Sequence, residues 1–320
     1  MQILIYGAGA LGQALGCMMA ADGHRVDLVL RERFIQPIQR HGLRVTGLFG
    51  NRSVQPEDIG LFSSALDSAA TYDTTFITTK SYDTEYALQE LYLLEKRAGE
   101  IVSMQNGCGN VEKVENTFGP KRSLGARVIT GFEIEKPGII NITVSADAIH
   151  IGNSRSGTPS TMAVKLAQAI DHAGHPCSAV QDIHRSLFAK LLYNCALNPL
   201  GALLGVHYGA LIQDEGTRQI VDKTIEETFT VISALGGNTP WSSAEEYKIE
   251  FYDRLIPATF NHRPSMLQDL ENCKQTEIDA LTGFVSKQGK KTGTSTPTCD
   301  MLTSLVRFRE KQNRKPSIIF

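Results

Sequence analysis

The chain has 320 residues, of which 42% are hydrophobic and 21% are charged, and its formal net charge at pH 7 is −2. This length favours two domains, and the near-neutral charge excludes the basic surface typical of proteins that bind nucleic acids or anionic membranes. The six cysteines are far apart in the sequence and include no C-x-x-C pair, so we expect neither a disulfide framework nor a zinc site.

The N-terminus carries the pattern of a dinucleotide-binding loop. Residues 2–6 predict a buried strand, the motif Gly7-Ala8-Gly9-Ala10-Leu11-Gly12 follows directly, and an apolar helical segment comes next. Gly7 would permit the tight turn, Gly9 would let the backbone approach a pyrophosphate, and Gly12 would let the helix pack on the strand. The helix N-terminus would present its N–H groups to the phosphates. We predict nucleotide binding here, against the alternative of a purely structural glycine turn.

The second predicted strand, residues 25–30, indicates which nucleotide binds. NAD-specific sites place an acid at the end of this strand, against the ribose hydroxyls. Here Asp27 falls inside the strand, and Arg31 and Arg33 follow it. An arginine suits a 2′-phosphate through charge-assisted hydrogen bonds. We therefore expect NADP(H) with Arg31 as a ligand; the alternative is that both arginines are ordinary solvated charges.

Short β-branched runs alternate with helical segments up to about residue 180. Further strands are predicted at 74–78, 100–104, 123–132, 138–144, 148–151 and 177–180, and helices at 83–97 and 161–174. The strands between 123 and 151 would form a meander or an antiparallel extension that closes the sheet. We predict a Rossmann-type doubly wound α/β domain over residues 1–181.

Helical periodicity dominates the rest of the chain. Helices are predicted at 182–204, 215–235, 241–255, 274–288 and 298–312. We expect an all-helical second domain over residues 182–320, with ligands bound at the carboxyl ends of the strands, in a cleft facing it. There is no basic leader and no uninterrupted apolar run of about 18 residues. A cytoplasmic protein without a membrane span is therefore expected.

A lysine and two asparagines stand four residues apart in an otherwise apolar segment, at Lys190, Asn194 and Asn198. On a helix they share one face and span about 12 Å. A buried stripe of this kind needs polar partners. A substrate that bears a carboxylate or a carbonyl could supply them, and so could neighbouring helices.

Two loops follow predicted strands of the first domain, where this fold borders its cofactor. Lys80 could contact the phosphate or adenosine end of the cofactor, or be simply solvated. Asn106 could bind the nicotinamide ribose or the substrate, although Asn106-Gly107 also suits an ordinary turn.

Candidate polar residues also occur late in the chain. Ser265 could cap a short helix, and Glu277 could lie in the first turn of the next helix. Carbonyl reduction by hydride needs an acid near the developing alkoxide. A buried lysine can supply that proton, and a nearby carboxylate can fix the position of the lysine. Lys190 and Glu277 are therefore the candidate catalytic residues. The spacing of His172 and His175 lacks a matching third ligand, so no metal site is expected.

These motifs together resemble the ketopantoate reductase (2-dehydropantoate 2-reductase) family. They occur in the family's order over nearly the whole chain: Gly7-Ala-Gly-Ala-Leu-Gly12, Lys80, Gln105-Asn106-Gly107, Lys190-x3-Asn194-x3-Asn198-Pro-Leu and Ser265-Met-Leu-Gln-Asp-x6-Thr276-Glu277-Ile-Asp279. The resemblance implies an oxidoreductase of pantothenate biosynthesis that reduces ketopantoate to pantoate with NADPH. It also implies a C-terminal domain like that of 6-phosphogluconate dehydrogenase.

The resemblance also implies residue roles. Lys190 would donate the proton to the keto oxygen, and Glu277 would hold hydroxyls of cofactor or substrate. Asn106 would touch the nicotinamide end of the cofactor. The implied substrate ligands are Asn106, Asn194, Asn198 and Ser265.

One position departs from the family pattern. Ketopantoate reductases often carry an asparagine ten residues beyond the second helix asparagine, where this chain has Tyr208. A paralogous reductase of another 2-keto acid is therefore one alternative, and a non-catalytic NADP(H) sensor that signals by domain closure is another. The expected partner is a small-molecule substrate, and exposed helices of the second domain could support a homodimer.

Overall fold

The computed structural model describes residues 1–314. They form two compact units: the first comprises Met1–Asn106 and Asn110–Ile183, and the second comprises Gly107–Gly109 and the residues from His184 onward. The predicted fold class is confirmed, because the first unit is built on a largely parallel sheet and the second is helical. The division after residue 181 stays a prediction, and membership of Gly107–Gly109 in the second unit is not foreseen from the sequence.

Within residues 1–314, the strands all belong to the first unit. They are β1 (Gln2–Tyr6), β2 (Arg25–Val29), β3 (Leu43–Gly47), β4 (Arg52–Val54), β5 (Ile59–Phe62), β6 (Thr74–Ile77), β7 (Glu100–Ser103), β8 (Ser123–Arg127), β9 (Thr130–Lys136), β10 (Ile139–Ser145), β11 (Ile149–Asn153) and β12 (Cys177–Ala179). The main sheet has the order β12-β11-β8-β7-β6-β1-β2-β5, and a second sheet has the order β4-β3-β10-β9. The run from β5 to β8 is parallel, and β11 pairs with β8 in the antiparallel sense.

Helices cover both faces of the main sheet. Those of the first unit are α1 (Ala10–Ala21), α2 (Glu32–His41), α3 (Thr84–Leu93), α4 (Asn110–Phe118) and α5 (Thr161–His172). Successive residues of β1 point to opposite faces, so Ile3 and Ile5 join one apolar core with α1, whereas Leu4 and Tyr6 join another with α3. This two-sided burial is what a doubly wound sheet requires.

The expected antiparallel extension between residues 123 and 151 is wrong in part. Only β8 and β11 pair within the main sheet, whereas β9 and β10 form a hairpin in the second sheet, where β10 also runs parallel to β3. Ile140 and Ile142 of β10 are fully buried in the core that includes α1. The hairpin therefore gains a buried apolar face by leaving the main sheet.

The helices of the second unit follow the predicted segments with local differences. They are α6 (Ile183–Leu204), α7 (Tyr208–Gln213), α8 (Glu215–Ala234), α9 (Ala244–Glu250), α10 (Ile256–Thr259), α11 (Ser265–Glu271), α12 (Thr282–Thr292) and α13 (Pro297–Arg314). One π-helical turn, Phe251–Leu255, joins α9 to α10. The helix predicted at 274–288 is wrong at its start, because a 3-10 turn, Ile278–Ala280, precedes α12.

Helix α6 is long and apolar enough to cross a membrane by length and composition. In the part of the chain that the structure describes, no other helix meets that criterion. Its most apolar stretch of 18 residues is 67% buried within the protein.

Candidate functional site

The glycine motif connects β1 to α1 through a turn that a side chain would obstruct. Gly7 has φ +83°, and a Cβ atom added to it would lie 2.1 Å from Cγ2 of Thr79. A Cβ on Gly12 would lie 2.5 Å from Oγ1 of Thr78 and 3.0 Å from Ile5. Gly7 therefore makes the turn, and Gly12 brings α1 against the strands, as the sequence predicts.

Gly9 lies at the N-cap position of α1, in extended backbone, and offers open space instead of a tight contact. The atom nearest to a Cβ built there is 3.9 Å away, on the carbonyl of Gly7. No side chain caps the helix, and its first turn, which begins with Ala10 and Leu11, contains no acid. Because the first N–H groups of a helix lack intrahelical partners, this end of α1 fits a pyrophosphate. Ala8, the remaining residue of the motif, is buried.

Arg31 lies just beyond the end of β2, at the N-cap position of α2, and is exposed. Burial raises the pKa of Asp83, and the charge of Arg31 opposes that rise. The guanidinium therefore lies within electrostatic range of the turn that follows β6. Asp27 is inside β2, and its carboxylate accepts a hydrogen bond of 2.7 Å from the hydroxyl of Tyr72. The carboxylate of Asp27 inside β2 is thus already hydrogen-bonded, and the positively charged Arg31 lies just beyond the end of that strand.

Gln105 joins the two strand-end loops of the first unit. Its side-chain nitrogen, which has two N–H donors, lies 2.8–3.3 Å from four acceptors: the carbonyl and hydroxyl of Thr79, the carbonyl of Lys80 and the hydroxyl of Thr84. Lys80 is half-buried, at the N-cap position of a 3-10 turn. This role of Gln105 is not predicted from the sequence, although a polar residue directly after a buried strand could have indicated it.

Asn106 is half-buried at the end of the same loop. Its carbonyl accepts a hydrogen bond of 3.0 Å from the side chain of Asn110, whose own oxygen accepts one from Thr84 at 3.0 Å. The first unit therefore brings together the glycine motif, Lys80 and Asn106 on connected loops.

The loop Gly107–Gly109 belongs to the second unit through contacts with Ala280. The Cys108 N–H donates to the Ala280 carbonyl at 2.9 Å, and a Cβ on Gly107 would lie 2.4 Å from that oxygen. A glycine with φ +82° is thus required there for close approach as well as for the turn.

The polar face of α6 consists of Lys190, Asn194 and Asn198, which follow each other at intervals of four residues on one helix. Lys190 and Asn194 are half-buried, and Asn198 is 4% exposed. The side-chain oxygen of Asn198 accepts a hydrogen bond of 2.6 Å from the hydroxyl of Tyr208. Tyr208, at the start of α7, is therefore a partner of this face that sequence reasoning missed.

Glu277 is buried, directly before the 3-10 turn that carries Ala280. Its neighbour Thr276 donates a backbone hydrogen bond of 2.7 Å and a hydroxyl hydrogen bond of 2.5 Å to the carboxylate of Glu310. This anchor fixes the chain on one side of Glu277, and the Cys108–Ala280 hydrogen bond fixes it on the other. The expected position of Glu277 inside an α-helix is wrong.

Ser265 is exposed and is the first residue of α11. The N-cap position is occupied by Pro264, with no side-chain cap, so the suggested capping role is wrong. The hydroxyl of Ser265 therefore does not cap the N-terminus of α11.

The two histidines considered for metal binding have separate partners. His172 contacts the carboxylate of Asp22 at 2.8 Å, whereas His175 contacts the hydroxyl of Thr130 at 3.1 Å and lies against Phe49. In residues 1–314, no group of three or more potential ligands is positioned for a metal ion.

Two family models together match most of the chain. The model described as ketopantoate reductase PanE/ApbA matches residues 3–156, and its C-terminal counterpart matches residues 182–310. A 2-dehydropantoate 2-reductase of Aquifex aeolicus is 37% identical over 315 residues, covering 98% of this chain and 99% of the relative. One of Mesorhizobium japonicum is 30% identical over 333 residues, covering 96% and 97%.

Solved structures agree over the whole length. A PanE/ApbA family ketopantoate reductase from Ralstonia eutropha has a TM-score of 0.86 and 27% identity, covering 98% of this chain and 100% of that one. A D-mandelate dehydrogenase with NADH and anilino(oxo)acetate has a TM-score of 0.85 and 26% identity, with the same coverage.

Proposed function

The chain belongs to the ketopantoate reductase family, and we propose that it reduces ketopantoate to pantoate with NADPH as the hydride donor. The observation that carries this proposal is the match of both halves to one enzyme family, over nearly the full length of the relatives. The protein is thus an NAD(P)-dependent oxidoreductase, and its substrate is a small keto acid.

The choice of NADPH is supported by the end of β2. Arg31 is exposed just beyond the end of β2 and could bind a 2′-phosphate. Asp27, the acid that could have bound ribose hydroxyls, accepts a hydrogen bond from Tyr72. The pyrophosphate would lie on the N-terminus of α1, against residues 7–12. Lys80 and Asn106, on the connected loops, would hold the rest of the cofactor.

The keto acid would be held by the polar face of α6. When bound, the cofactor supplies hydride to the keto carbon. Lys190 would donate a proton to the keto oxygen, which neutralises the developing alkoxide. Asn194, Asn198 and Ser265 would bind the substrate through hydrogen bonds, and the buried carboxylate of Glu277 would orient Lys190 or bind a hydroxyl.

The state of the cysteines indicates the cellular compartment. All six cysteines are free thiols, which suits a reducing compartment. We place the reaction in the cytoplasm, as part of pantothenate biosynthesis.

The decisive experiment compares kcat/KM for ketopantoate with kcat/KM for other 2-keto acids, in the presence of NADPH and then of NADH. The proposal predicts the highest value for ketopantoate with NADPH. A higher kcat/KM for another branched or aromatic 2-keto acid would reject ketopantoate as the preferred substrate. NADPH binding without turnover on any member of the panel would favour the sensor instead.

A further inference from the structure

We propose that Tyr208 is a positioning residue that turns the side-chain amide of Asn198 so that its N–H groups, and not its oxygen, face the keto acid. This inference rests on the proposed function and deepens it, because it assigns a role to a residue that the predicted site does not include. It concerns the recognition of the acceptor groups of the substrate, namely its carboxylate and keto oxygens.

The direction of the hydrogen bond follows from what each group can donate. A tyrosine hydroxyl carries one proton, and a buried hydroxyl without an acceptor is costly. Among the described residues, the only hydrogen-bond partner of the Tyr208 hydroxyl is the oxygen of Asn198, at 2.6 Å. Rotating the amide by half a turn would place its N–H groups against the hydroxyl and leave the phenolic proton without an acceptor. The phenol therefore selects one of the two amide orientations.

Tyr208 is itself held firmly. Its backbone N–H donates to the carbonyl of His262 at 3.1 Å, and the N–H of Gly209 donates to the carbonyl of Phe260 at 2.8 Å. The ring is 3% exposed and packs edge-on against Tyr193, with ring centroids 5.7 Å apart. Burial also raises the pKa of the Tyr208 hydroxyl well above its ordinary value, so that the hydroxyl stays a donor over the whole physiological range.

The other end of the Asn198 amide remains available to a ligand. Within residues 1–314, the side chain of Asn198 makes one hydrogen bond, through its oxygen. Its nitrogen is not among the fully buried side-chain atoms that lack a partner, so the residual exposure of this residue includes that nitrogen. Because carboxylate and keto oxygens only accept hydrogen bonds, an amide fixed in this orientation is ready to bind them without rotation.

Tyr208→Phe tests the role because it removes the hydroxyl and keeps the ring. We expect the KM for the keto acid to rise about 10-fold, the size of one lost or misoriented hydrogen bond to a charged group. Little change is expected in kcat or in the KM for NADPH, since the lost interaction is one of binding. The matched control is Tyr193→Phe, which removes a neighbouring hydroxyl that pairs with Thr259 at 2.5 Å. It should leave the KM for the keto acid unchanged.

A double-mutant cycle separates positioning from a general structural effect. If Tyr208 acts through Asn198, Tyr208→Phe should raise the KM in the wild-type background and have no further effect in the Asn198→Ala background. An equal rise in both backgrounds would overturn the inference. Asn198→Asp provides a second arm, because aspartate can still accept from Tyr208 but offers no N–H donor. A wild-type KM in that variant would also overturn the inference.

Measurements on the wild-type protein separate a failure of the positioning role from a failure of the proposed function. Turnover of a 2-keto acid by the wild type, with an unchanged KM in Tyr208→Phe, would reject the positioning role and leave the proposed function intact. Absence of turnover in the wild type would reject both.

Discussion

The glycine motif of the first unit and the polar face of α6 in the second unit acquire their geometry in different ways. In the glycine motif, the backbone itself is the proposed binding surface, and a Cβ atom added to Gly7 would lie 2.1 Å from Cγ2 of Thr79. On α6, side chains are the proposed binding surface, and the amide oxygen of Asn198 accepts a hydrogen bond from Tyr208 of the next helix. A backbone site is therefore specified by local sequence, whereas a side-chain site depends on packing between elements.

The largest effect is expected on the side-chain site, for Lys190→Ala. Loss of the proposed proton donor should lower kcat about 10²–10⁴-fold, while NADPH binding, measured by fluorescence titration, stays near the wild-type value. The matched control is Lys287→Ala, which removes an exposed lysine of α12 in the same unit. Near-normal kcat in Lys190→Ala would remove the lysine from its proposed role.

The backbone site is tested by Gly7→Ala, with Gly23→Ala as its control. Both glycines have positive φ, +83° and +86°, but a Cβ atom on Gly23 would meet nothing within 4 Å. The left-handed backbone alone should cost each variant about 1–2 kcal/mol of stability. Gly7→Ala should lose more stability in thermal melts, and only this variant should lose NADPH binding. Equal losses of stability and of NADPH binding in the two variants would show that the close contact between Gly7 and Thr79 is not what matters at this position.

A smaller effect is expected at the end of β2. Arg31→Ala should weaken NADPH binding about 10–100-fold, the size of lost charge-assisted hydrogen bonds, and should change NADH binding little. Arg33→Ala is the control, because it removes the other exposed arginine near the end of β2. The guanidinium of Arg33 lies 4.8 Å from the centre of the Phe34 ring. Equal weakening of both cofactors by Arg31→Ala would argue against a 2′-phosphate ligand.

The smallest effect is expected for Glu310→Gln, which weakens the anchor of Thr276 beside Glu277. We expect a loss of about 1 kcal/mol of unfolding free energy, together with a smaller decrease in kcat than Lys190→Ala produces. Glu250→Gln, in the surface pair with Arg254, is the control for a generic loss of charge. An unchanged stability and kcat would show that the anchor does not hold the segment.

The parts that could be predicted from the sequence are those governed by short-range rules. Glycine spacing after a strand indicated the turn at residues 7–12, and a four-residue spacing put Lys190, Asn194 and Asn198 on one helical face. The parts that could not be predicted depend on long-range contacts. The hairpin of β9 and β10 joins β3, almost a hundred residues earlier, and no local signal distinguishes that partner from the main sheet.

The same limit applies to the candidate site. Tyr208 was recognised as a departure from a family pattern, but its hydrogen bond to Asn198 needs the chain to turn back after α6. The contact of Gly107 and Cys108 with Ala280 joins segments about 170 residues apart in the sequence. Sequence spacing therefore identified the candidate residues, and the folded chain was needed to reveal what holds them.

Ketopantoate reduction is tested most directly by mixing the wild-type protein with limiting NADPH and excess ketopantoate and then quantifying both the NADPH oxidised and the pantoate formed. We expect one pantoate to form for each NADPH consumed. Bound NADPH that stays reduced, with no pantoate formed, would contradict this expectation.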